Sequence, residues 1–248
     1  MHLVFDDASV FKRFVDGIAV LVDEAEFVID ENGLGLKATD PSQISLVDFR
    51  LPKKGFSKFD AKEATKIGLD LNYLSQVVSR AKSSDKIELL ISGDNSTLKI
   101  IFVGKSKRSF DIPLLDISTS DLPLPRIDFE SEVKVRADAL SDSFKDANLI
   151  STHITLSIED DYFKVRASSS KGKLENVYGA KDEGVIALKA TEPTSAMFPL
   201  DYMVSIIKAA SSDTEVTLKL KTNAPVEVQY SVGEGRFTYF LAPRIESD

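Results

Sequence analysis

The sequence predicts an α+β protein made of two copies of one domain, with two βαβββ units in each copy. Three observations support this prediction. The pattern of apolar residues repeats at an offset of 129 residues, apolar residues at helical spacing recur in four segments, and an alternating apolar and polar pattern follows these segments. The length of 248 residues suits one large or two ordinary domains.

The offset aligns two long stretches of the chain without a gap. The first stretch matches Phe27, Ile29, Leu34, Leu36 and Ala38 with Leu156, Ile158, Phe163, Val165 and Ala167. The second matches Leu71, Tyr73, Val77, Val78, Ala81, Ile87 and Leu89 with Leu200, Tyr202, Ile206, Ile207, Ala210, Val216 and Leu218. Identity between the copies is low, but apolar positions decide which face of an element is buried, so their agreement indicates a duplicated fold.

Four helices are predicted, over residues 9–21, 72–82, 139–149 and 201–211. Along residues 9–22 the apolar residues recur at the spacing of one helix face, at Phe11, Phe14, Val15, Ile18, Leu21 and Val22. Asn72 and Asp201 occupy matched positions at the start of the second and fourth helices. Their side chains are predicted to cap these helices, because Asn and Asp accept hydrogen bonds from the free N–H groups of a first turn.

The alternating segments are predicted to form antiparallel strands joined by tight turns. Phe27 and Ile29 precede the turn Asp30-Glu31-Asn32-Gly33, and Leu34 and Leu36 follow it, which is the pattern of a β-hairpin. Gly233-Glu234-Gly235 is predicted to be another hairpin turn, and no glycine-rich phosphate-binding motif occurs in the sequence.

A proline-containing segment separates the two copies. We expect the first domain over residues 1–117, a connecting segment over 118–128 and the second domain over 129–248. Pro123 and Pro125 exclude a central strand in the connecting segment and favour an extended linker. Leu122 and Leu124 allow two interpretations, since they can pack onto a neighbouring sheet or form an exposed ledge on which another protein docks.

The composition argues against most enzymatic chemistry. The chain has no cysteine, which excludes a disulfide framework, a thiolate zinc site and a cysteine nucleophile. Its two histidines are too few for a histidine-rich metal centre. Acidic pairs such as Asp6-Asp7, Asp30-Glu31 and Asp160-Asp161 could hold magnesium, although solvated turn caps are their ordinary explanation. We therefore expect no enzyme activity, no metal and no cofactor, with an acid-site metal-dependent hydrolase as the remote alternative.

The hydropathy pattern predicts the cellular location of the protein, and the net charge restricts its binding partners. No apolar run approaches about 18 residues, and the N-terminus lacks the pattern of a signal peptide. We expect a cytoplasmic protein, or a nuclear one if the source is eukaryotic, with no membrane contact. The net charge of −8 argues against a simple basic nucleic-acid binder.

The predicted helices are nevertheless basic relative to the rest of the chain. Their windows contain Lys12, Arg13, Arg80, Lys82, Lys145 and Lys208, against the acids Asp16, Asp142, Asp146 and Asp201. These positions can be ordinary solvated helix faces. The other interpretation is a surface that meets nucleic-acid phosphates without reading bases, because the basic residues recur in the same repeated element.

The chain resembles a known family over its whole length, and two motifs carry this resemblance. The run Tyr239-Phe240-Leu241-Ala242-Pro243-Arg244-Ile245-Glu246 resembles the C-terminal YLAPKIE motif of the sliding clamps of archaea and eukaryotes, the proliferating cell nuclear antigen (PCNA) family. The segment Asp40-Pro41-Ser42-Gln43-Ile44-Ser45-Leu46-Val47 resembles the DSSHVSLV signature of that family. The lack of cysteine is more typical of archaeal than of eukaryotic members.

The resemblance implies the DNA clamp fold and a ring of three subunits, with helices that face duplex DNA of any sequence. A clamp loader would place the ring on DNA, and the ring would tether DNA polymerase, flap endonuclease and DNA ligase through their PIP-box peptides. Such a processivity factor serves DNA replication and DNA repair. The ring is expected to be a homotrimer, with a subunit of a heterotrimeric clamp as the alternative. A ring that never meets DNA is a further alternative, of the scaffold class.

The resemblance also implies three sets of site residues. The DNA-binding set is Lys12, Arg13, Arg80, Lys82, Lys145 and Lys208. The set that binds partner peptides is Gln43, Ile44, Leu122, Leu124, Pro125, Pro225, Leu241, Ala242 and Pro243. The subunit joint pairs residues 107–111, with Arg108 and Phe110, with the neighbour's residues 173–177, which include Lys173, Leu174 and Val177. Gln76 and Ser79 stand where relatives carry lysine, and Thr39 and Gln43 replace the methionine and histidine of the human-type pattern.

Overall fold

A computed structural model describes residues 1–61, 63–91, 96–117 and 122–245. Four βαβββ units follow one another along the chain, as predicted, and the first and third units each continue into one additional strand. Residues 118–121 of the predicted connecting segment and Glu246 of the C-terminal motif lie outside the described residues.

The first two units fill the N-terminal half of the chain. The first consists of β1 (His2–Phe5), α1 (Ala8–Ala19), β2 (Glu24–Asp30), β3 (Gly33–Thr39), β4 (Ser45–Pro52), a 3-10 turn (Lys53–Gly55) and β5 (Lys58–Asp60). The second consists of β6 (Thr65–Asp70), α2 (Leu71–Val78), β7 (Lys86–Ile91), β8 (Thr97–Val103) and β9 (Lys107–Pro113).

The third and fourth units repeat this order. The third consists of β10 (Ser131–Arg136), α3 (Ala137–Ile150), β11 (His153–Glu159), β12 (Tyr162–Ser169), β13 (Gly172–Gly179) and β14 (Val185–Ala190). The fourth consists of β15 (Thr194–Pro199), α4 (Leu200–Ile206), a 3-10 turn (Ile207–Ala209), β16 (Glu215–Leu220), β17 (Val226–Val232) and β18 (Gly235–Leu241).

The chain divides into two compact units that are not continuous in sequence. One unit contains Met1–Pro41, Val47–Pro123 and Val232–Phe237. The other contains Ser42–Leu46, Leu124–Ser231 and Thr238–Asp248. We call them the first and second unit domains.

Antiparallel sheets dominate both unit domains. In the first unit domain the strands follow the order β5-β1-β7-β8-β9, and β2 lies between β3 and β6. In the second, one sheet has the order β13-β12-β11-β15, and a further run has the order β14-β10-β16-β17. The strands β9 and β13 therefore each lie at the end of a sheet.

The predicted hairpin at residues 30–33 is confirmed. Asp30 and Gly33 face each other in the register of β2 and β3. Oδ1 of Asp30 accepts hydrogen bonds from the N–H groups of Asn32 (2.8 Å) and Gly33 (3.3 Å). Gly33 has a φ of 145°, and a Cβ atom there would lie 2.1 Å from the carbonyl oxygen of Leu51. The turn thus needs glycine for both its backbone angle and its close packing.

The helices bury the predicted apolar stripe against the sheets. Phe11, Phe14, Val15 and Ile18 of α1 are buried. The rings of Phe14 and Phe49 lie 5.2 Å apart, and that of Phe237 lies 4.6 Å from Phe49. Offset aromatic contacts of this kind, added to the apolar area removed from water, hold α1 in place and leave its other face to solvent.

Two predicted helix caps are wrong. Helix α2 begins after Asp70, whose side chain accepts a hydrogen bond from the N–H of Tyr73 at 2.9 Å. Asn72 instead donates from Nδ2 to Oδ1 of Asp23 at 2.9 Å. Helix α4 follows Pro199 and has no side-chain cap, and Asp201 lies in its first turn. Both helices begin earlier than the apolar pattern predicts, because their first residues, Leu71 and Leu200, are already buried.

The cap of α2 yields a stability prediction. Asp70→Ala removes the acceptor for the Tyr73 N–H, so we expect the free energy of unfolding to fall by about 1 kcal/mol in urea titrations. Asn72→Ala is the matched control. It removes a polar side chain two residues after Asp70, in the same first turn, and leaves the cap intact. An equal loss of stability in the two variants would contradict the assignment of the cap to Asp70.

Candidate functional site

The predicted basic residues of the first unit domain lie on α1 and just after α2. Lys12 and Arg13 are half-exposed on α1, and Nζ of Lys12 forms an ion pair with Asp16 one turn later. Arg80 and Lys82 are exposed, but α2 ends at Val78. The prediction that Arg80 and Lys82 lie on the helix is therefore wrong, since the chain has already left the helix in a turn that leads to β7.

The predicted basic residues of the second unit domain meet at one groove. Lys145 of α3 and Lys208 of the 3-10 turn after α4 both line a groove of about 770 Å³ between these elements. Its floor includes Phe144, Leu200 and Ile207. Asp138, Asp142 and Asp201 also line it, and Nζ of Lys145 donates to Oδ1 of Asp142 at 2.9 Å. The groove thus has mixed charge, with its lysines on flexible exposed side chains.

The C-terminal segment is fixed by backbone hydrogen bonds inside the second unit domain. The N–H of Ala242 donates to the carbonyl of Ile44 at 2.8 Å, and the N–H of Arg244 donates to the carbonyl of Met197 at 2.8 Å. Gln43 is exposed and has a φ of 57°, in the left-handed region. The two segments that resemble family motifs are therefore in contact.

A histidine and an arginine add a polar contact to this segment. Nη1 of Arg244 lies 3.2 Å from Nδ1 and 3.1 Å from Nε2 of His153. Partial burial, and then the charge of Arg244, lower the pKa of His153, while Asp201 raises it. The lowered pKa favours the neutral ring, which can accept a hydrogen bond from the guanidinium.

Most residues of the predicted peptide site offer some surface. Leu124 is 37% exposed and Pro125 is exposed, while Ile44, Pro225, Ala242 and Pro243 are half-buried. Leu122 belongs to the first unit domain, where its carbonyl accepts a hydrogen bond from Nζ of Lys37 at 3.2 Å.

Leu241 does not fit its predicted role. Its side chain has no exposed surface, because β18 directs it into the core. A side chain without exposed area cannot bury apolar surface when a peptide binds. We therefore correct the expectation and assign Leu241 to the core that supports Ala242 and Pro243.

The predicted joint residues lie on the two edge strands. In β9, Phe110 is half-exposed and its ring packs edge-on against Phe102 at 5.6 Å. In β13, Lys173 and Val177 are exposed, with Val177 at 45%, and Leu174 is half-buried. An edge strand presents unpaired N–H and C=O groups that another strand can pair with. Arg108 of β9 bonds within its own chain, to Asp85 and to the carbonyl of Arg80.

The acidic pairs are engaged in caps and ion pairs. Asp7 caps α1 through the N–H of Ser9, and hydrogen bonds from Ser9 lower its pKa. Asp6 accepts a hydrogen bond from Lys86, which lowers its pKa. Asp160 occupies a hairpin turn with a φ of 53°. Over the described ranges, no group of three or more His, Asp and Glu side chains is placed to hold a metal ion.

The same described ranges contain no helix that is long and apolar enough to cross a membrane.

Sequence reasoning missed the contacts that fix the site. His153 and Arg244 are separated by 91 positions, and no local pattern connects them. Sequence reasoning also missed Asp85. The offset of 129 residues aligns Asp85 with Thr214, so a carboxylate stands in one copy where the other copy has a hydroxyl.

Family models match both halves of the chain. The model described as proliferating cell nuclear antigen, N-terminal domain, matches residues 1–133. The model described as proliferating cell nuclear antigen, C-terminal domain, matches residues 123–245.

Similar proteins cover the full length. The chain is 34% identical to the DNA polymerase sliding clamp of Thermococcus gammatolerans over 246 residues, which is 99% of this chain and 98% of that protein. It is also 34% identical to the DNA polymerase sliding clamp of Thermofilum pendens, over 99% of this chain and 100% of that protein.

Solved structures agree with this similarity. PCNA from Thermococcus kodakaraensis matches with a TM-score of 0.94 and 26% identity over 98% of this chain and 99% of that one. The PCNA of A. fulgidus, solved with the C-terminal region of FEN-1 bound, matches with a TM-score of 0.91 and 25% identity over 100% of this chain and 99% of that one.

Proposed function

The chain belongs to the proliferating cell nuclear antigen family of DNA polymerase sliding clamps, and we propose that three copies of it close into a ring around duplex DNA. The observation that carries this proposal is the pair of edge strands, β9 and β13, one in each unit domain. Pairing β9 of one copy with β13 of the next is a head-to-tail contact. Such a contact pairs β9 and β13 of every copy only when the rotation between copies closes a ring.

The proposed joint favours copies of this chain as neighbours. Phe110 supplies an aromatic side chain on β9, and Val177 and Leu174 supply aliphatic side chains on β13. Both strands belong to one sequence, and on this basis we propose a homotrimer. A heterotrimer with related subunits is the second candidate, because the same edges would also accept a similar strand.

We further propose that the first domain spans residues 1–117 and the second spans 129–248, and that residues 118–128 connect them.

We propose that the helix surfaces meet DNA through its phosphates. Each unit domain carries partly or fully exposed cations on its first helix and just after its second, and the chain as a whole has a charge of −8. Duplex DNA is therefore repelled by most of the surface and attracted where cations gather. Contacts to phosphates are nearly equal in energy at every base pair, so such a surface allows the ring to move along DNA without preference for sequence.

We propose that client enzymes dock on the second unit domain, beside the C-terminal segment. Leu124, Pro125 and Pro243 offer apolar surface next to backbone groups, which suits a short peptide with aliphatic and aromatic anchors. The complex of a relative with the C-terminal region of FEN-1 supports this kind of partner. DNA polymerase, flap endonuclease and DNA ligase would bind through PIP-box peptides, and a clamp loader would open the ring.

The proposed activity is binding, without a chemical step. Because the DNA polymerase sliding clamps of Thermococcus gammatolerans and Thermofilum pendens, to which the chain is 34% identical, are archaeal, we propose that the chain lies in the cytoplasm, where an archaeal chromosome lies.

The subunit joint is tested by Phe110→Asp. The carboxylate places a charge between apolar side chains of the proposed joint, so we expect the mass in sedimentation to fall from about three times 27.3 kDa to that of one chain. Tyr162→Asp is the control, because Tyr162 is an exposed aromatic residue on β12, which has a neighbour on each side. A stable trimer of Phe110→Asp would place the joint elsewhere.

The DNA surface is tested by reversing Lys145 and Lys208 to glutamate. We expect weaker retention on circular duplex DNA. The slope of log affinity against log salt should be smaller in magnitude by up to about 6, roughly one for each of the two lysines in each of the three copies. The control reverses Lys181 and Lys189, two exposed lysines of the same unit domain that lie outside the helices. It changes the net charge equally and should keep the wild-type slope. Equal slopes for all three proteins would remove Lys145 and Lys208 from the DNA surface.

The peptide site is tested by Leu124→Ser. Removing the exposed apolar side chain should weaken binding of a synthetic PIP-box peptide by about 1–3 kcal/mol in calorimetry. Ile186→Ser is the matched control, because Ile186 is 44% exposed on β14 of the same unit domain. Wild-type affinity of Leu124→Ser would show that the peptide binds at another place.

A further inference from the structure

Asp85 is a buried carboxylate in the turn between α2 and β7. Its exposed fraction is 2%. Its backbone carbonyl accepts a hydrogen bond from the N–H of Ala8, the first residue of α1, at 3.0 Å. Its Oδ2 accepts one from the N–H of Lys82, in the turn after α2, at 3.0 Å. One residue therefore holds the start of α1 and the chain that leaves α2.

The same carboxylate reaches the edge strand β9. Nη2 of Arg108 forms a charged hydrogen bond with Oδ2 of Asp85. Nη1 of Arg108 donates to the carbonyl of Arg80 at 2.8 Å, and the guanidinium lies 5.2 Å from the ring centre of Phe102. Arg108 is thus fixed at three points, and it connects β9 to the turn that carries Arg80 and Lys82.

A glycine makes room for this contact. A Cβ atom on Gly104, in the turn between β8 and β9, would lie 1.9 Å from Oδ1 of Asp85. The carboxylate therefore fits only because this turn has no side chain there. The β8–β9 turn, β9, the end of α2 and the start of α1 all meet at Asp85.

The second copy of the domain contains the same backbone arrangement with a neutral side chain. The N–H of Ala137 donates to the carbonyl of Thr214 at 2.9 Å, as Ala8 does to Asp85. The N–H of Ser211 donates to Oγ1 of Thr214 at 2.9 Å, as Lys82 does to Oδ2 of Asp85. A hydroxyl is therefore sufficient to hold the turn and the helix. The negative charge of Asp85 is needed for its additional partner, Arg108.

Because of the ion pair between Asp85 and Arg108, the hydrogen bonds at the start of α1 and after the end of α2 depend on the position of β9. Burying a carboxylate is costly unless it is paired, and removing one partner of a buried pair leaves a charge without compensation. A shift of β9 that withdraws Arg108 would leave Asp85 in that state. The turn could restore hydration of the carboxylate only by moving, and Ala8 and Lys82 would then lose their acceptors.

We propose that Asp85 is a positioning residue that couples the subunit joint at β9 to the DNA-facing ends of α1 and α2. When β9 is paired with a neighbouring subunit, Arg108 and Asp85 hold Arg80 and Lys82 in place. When the joint opens, these residues and the start of α1 become less ordered. The inference rests on the assignment of β9 to the joint under the proposed function.

Hydrogen exchange of backbone amides tests the coupling. The samples are the wild-type ring and the monomer produced by Phe110→Asp. We expect the amides of Ala8 and Lys82 to exchange about tenfold faster in the monomer, the factor expected for loss of roughly one hydrogen bond to a charged group. The amides of Ala137 and Ser211 are the internal control, and their exchange should not change. Equal rates in the two samples, or equal acceleration at all four amides, would overturn the coupling.

Asp85→Asn tests the role of the charge. The amide oxygen of asparagine can still accept from Lys82, but the ion pair with Arg108 is lost. We expect its ring to dissociate at about tenfold higher protein concentration, and Phe110→Asp in this background to leave exchange at Ala8 and Lys82 unchanged. Asp6→Asn is the control, because it removes the exposed ion pair with Lys86. A ring of Asp85→Asn as stable as that of Asp6→Asn would overturn the inference.

Two further results separate the possible failures. If Asp85→Asn does not fold, Arg108→Gln removes the ion pair from its more exposed side, and the same results are expected of it. If Phe110→Asp remains a trimer, the joint of the proposed function is wrong and the coupling is wrong with it. If the joint is confirmed and the exchange rates do not respond, only the coupling is wrong.

Discussion

Among the residues that the structure describes, β9 and β13 each have one edge without a partner strand, and this is the constraint on which the proposed assembly depends. Each of these strands has hydrogen-bonding groups along one side that a sheet partner or water must satisfy. The side chains beside them, Phe110 on β9 and Val177 on β13, are apolar and partly exposed, so pairing with another strand would also remove apolar surface from water. A ring pairs β9 and β13 of every copy at once.

The ion pairs on the helices are compatible with the proposed DNA surface, along which the ring would slide. Lys12 pairs with Asp16, and Lys145 pairs with Asp142, on exposed helix faces. Exposed pairs contribute little to stability, so a phosphate can replace the carboxylate at small cost. The acids also reduce the attraction at any single register of the DNA. A surface that holds DNA weakly at many equal positions restrains the duplex without stopping its movement.

The sequence predicts the repeated units well, because burial follows a regular pattern. The apolar positions of α1 and the turn at Asp30 and Gly33 are local signals, and the structure confirms both. The cap at Asn72 is wrong because Asp70, two residues earlier, competes for the same first turn. The site is less predictable, since its contacts join distant segments. Nothing local to His153 indicates Arg244, and an alternating pattern around Leu241 does not distinguish a pocket wall from the core.

The two copies of the domain differ where their surroundings differ. Asp85 and Thr214 hold the same turn through matching hydrogen bonds, one accepted by the backbone carbonyl and one by the side chain, so the duplicated fold does not require a charge at this position. A buried carboxylate is costly, and it is compensated only where an arginine such as Arg108 can reach it. That arginine lies on β9, at the end of a sheet. A costly interaction placed next to an open edge is best explained by what the edge binds, because a neutral side chain already serves the fold.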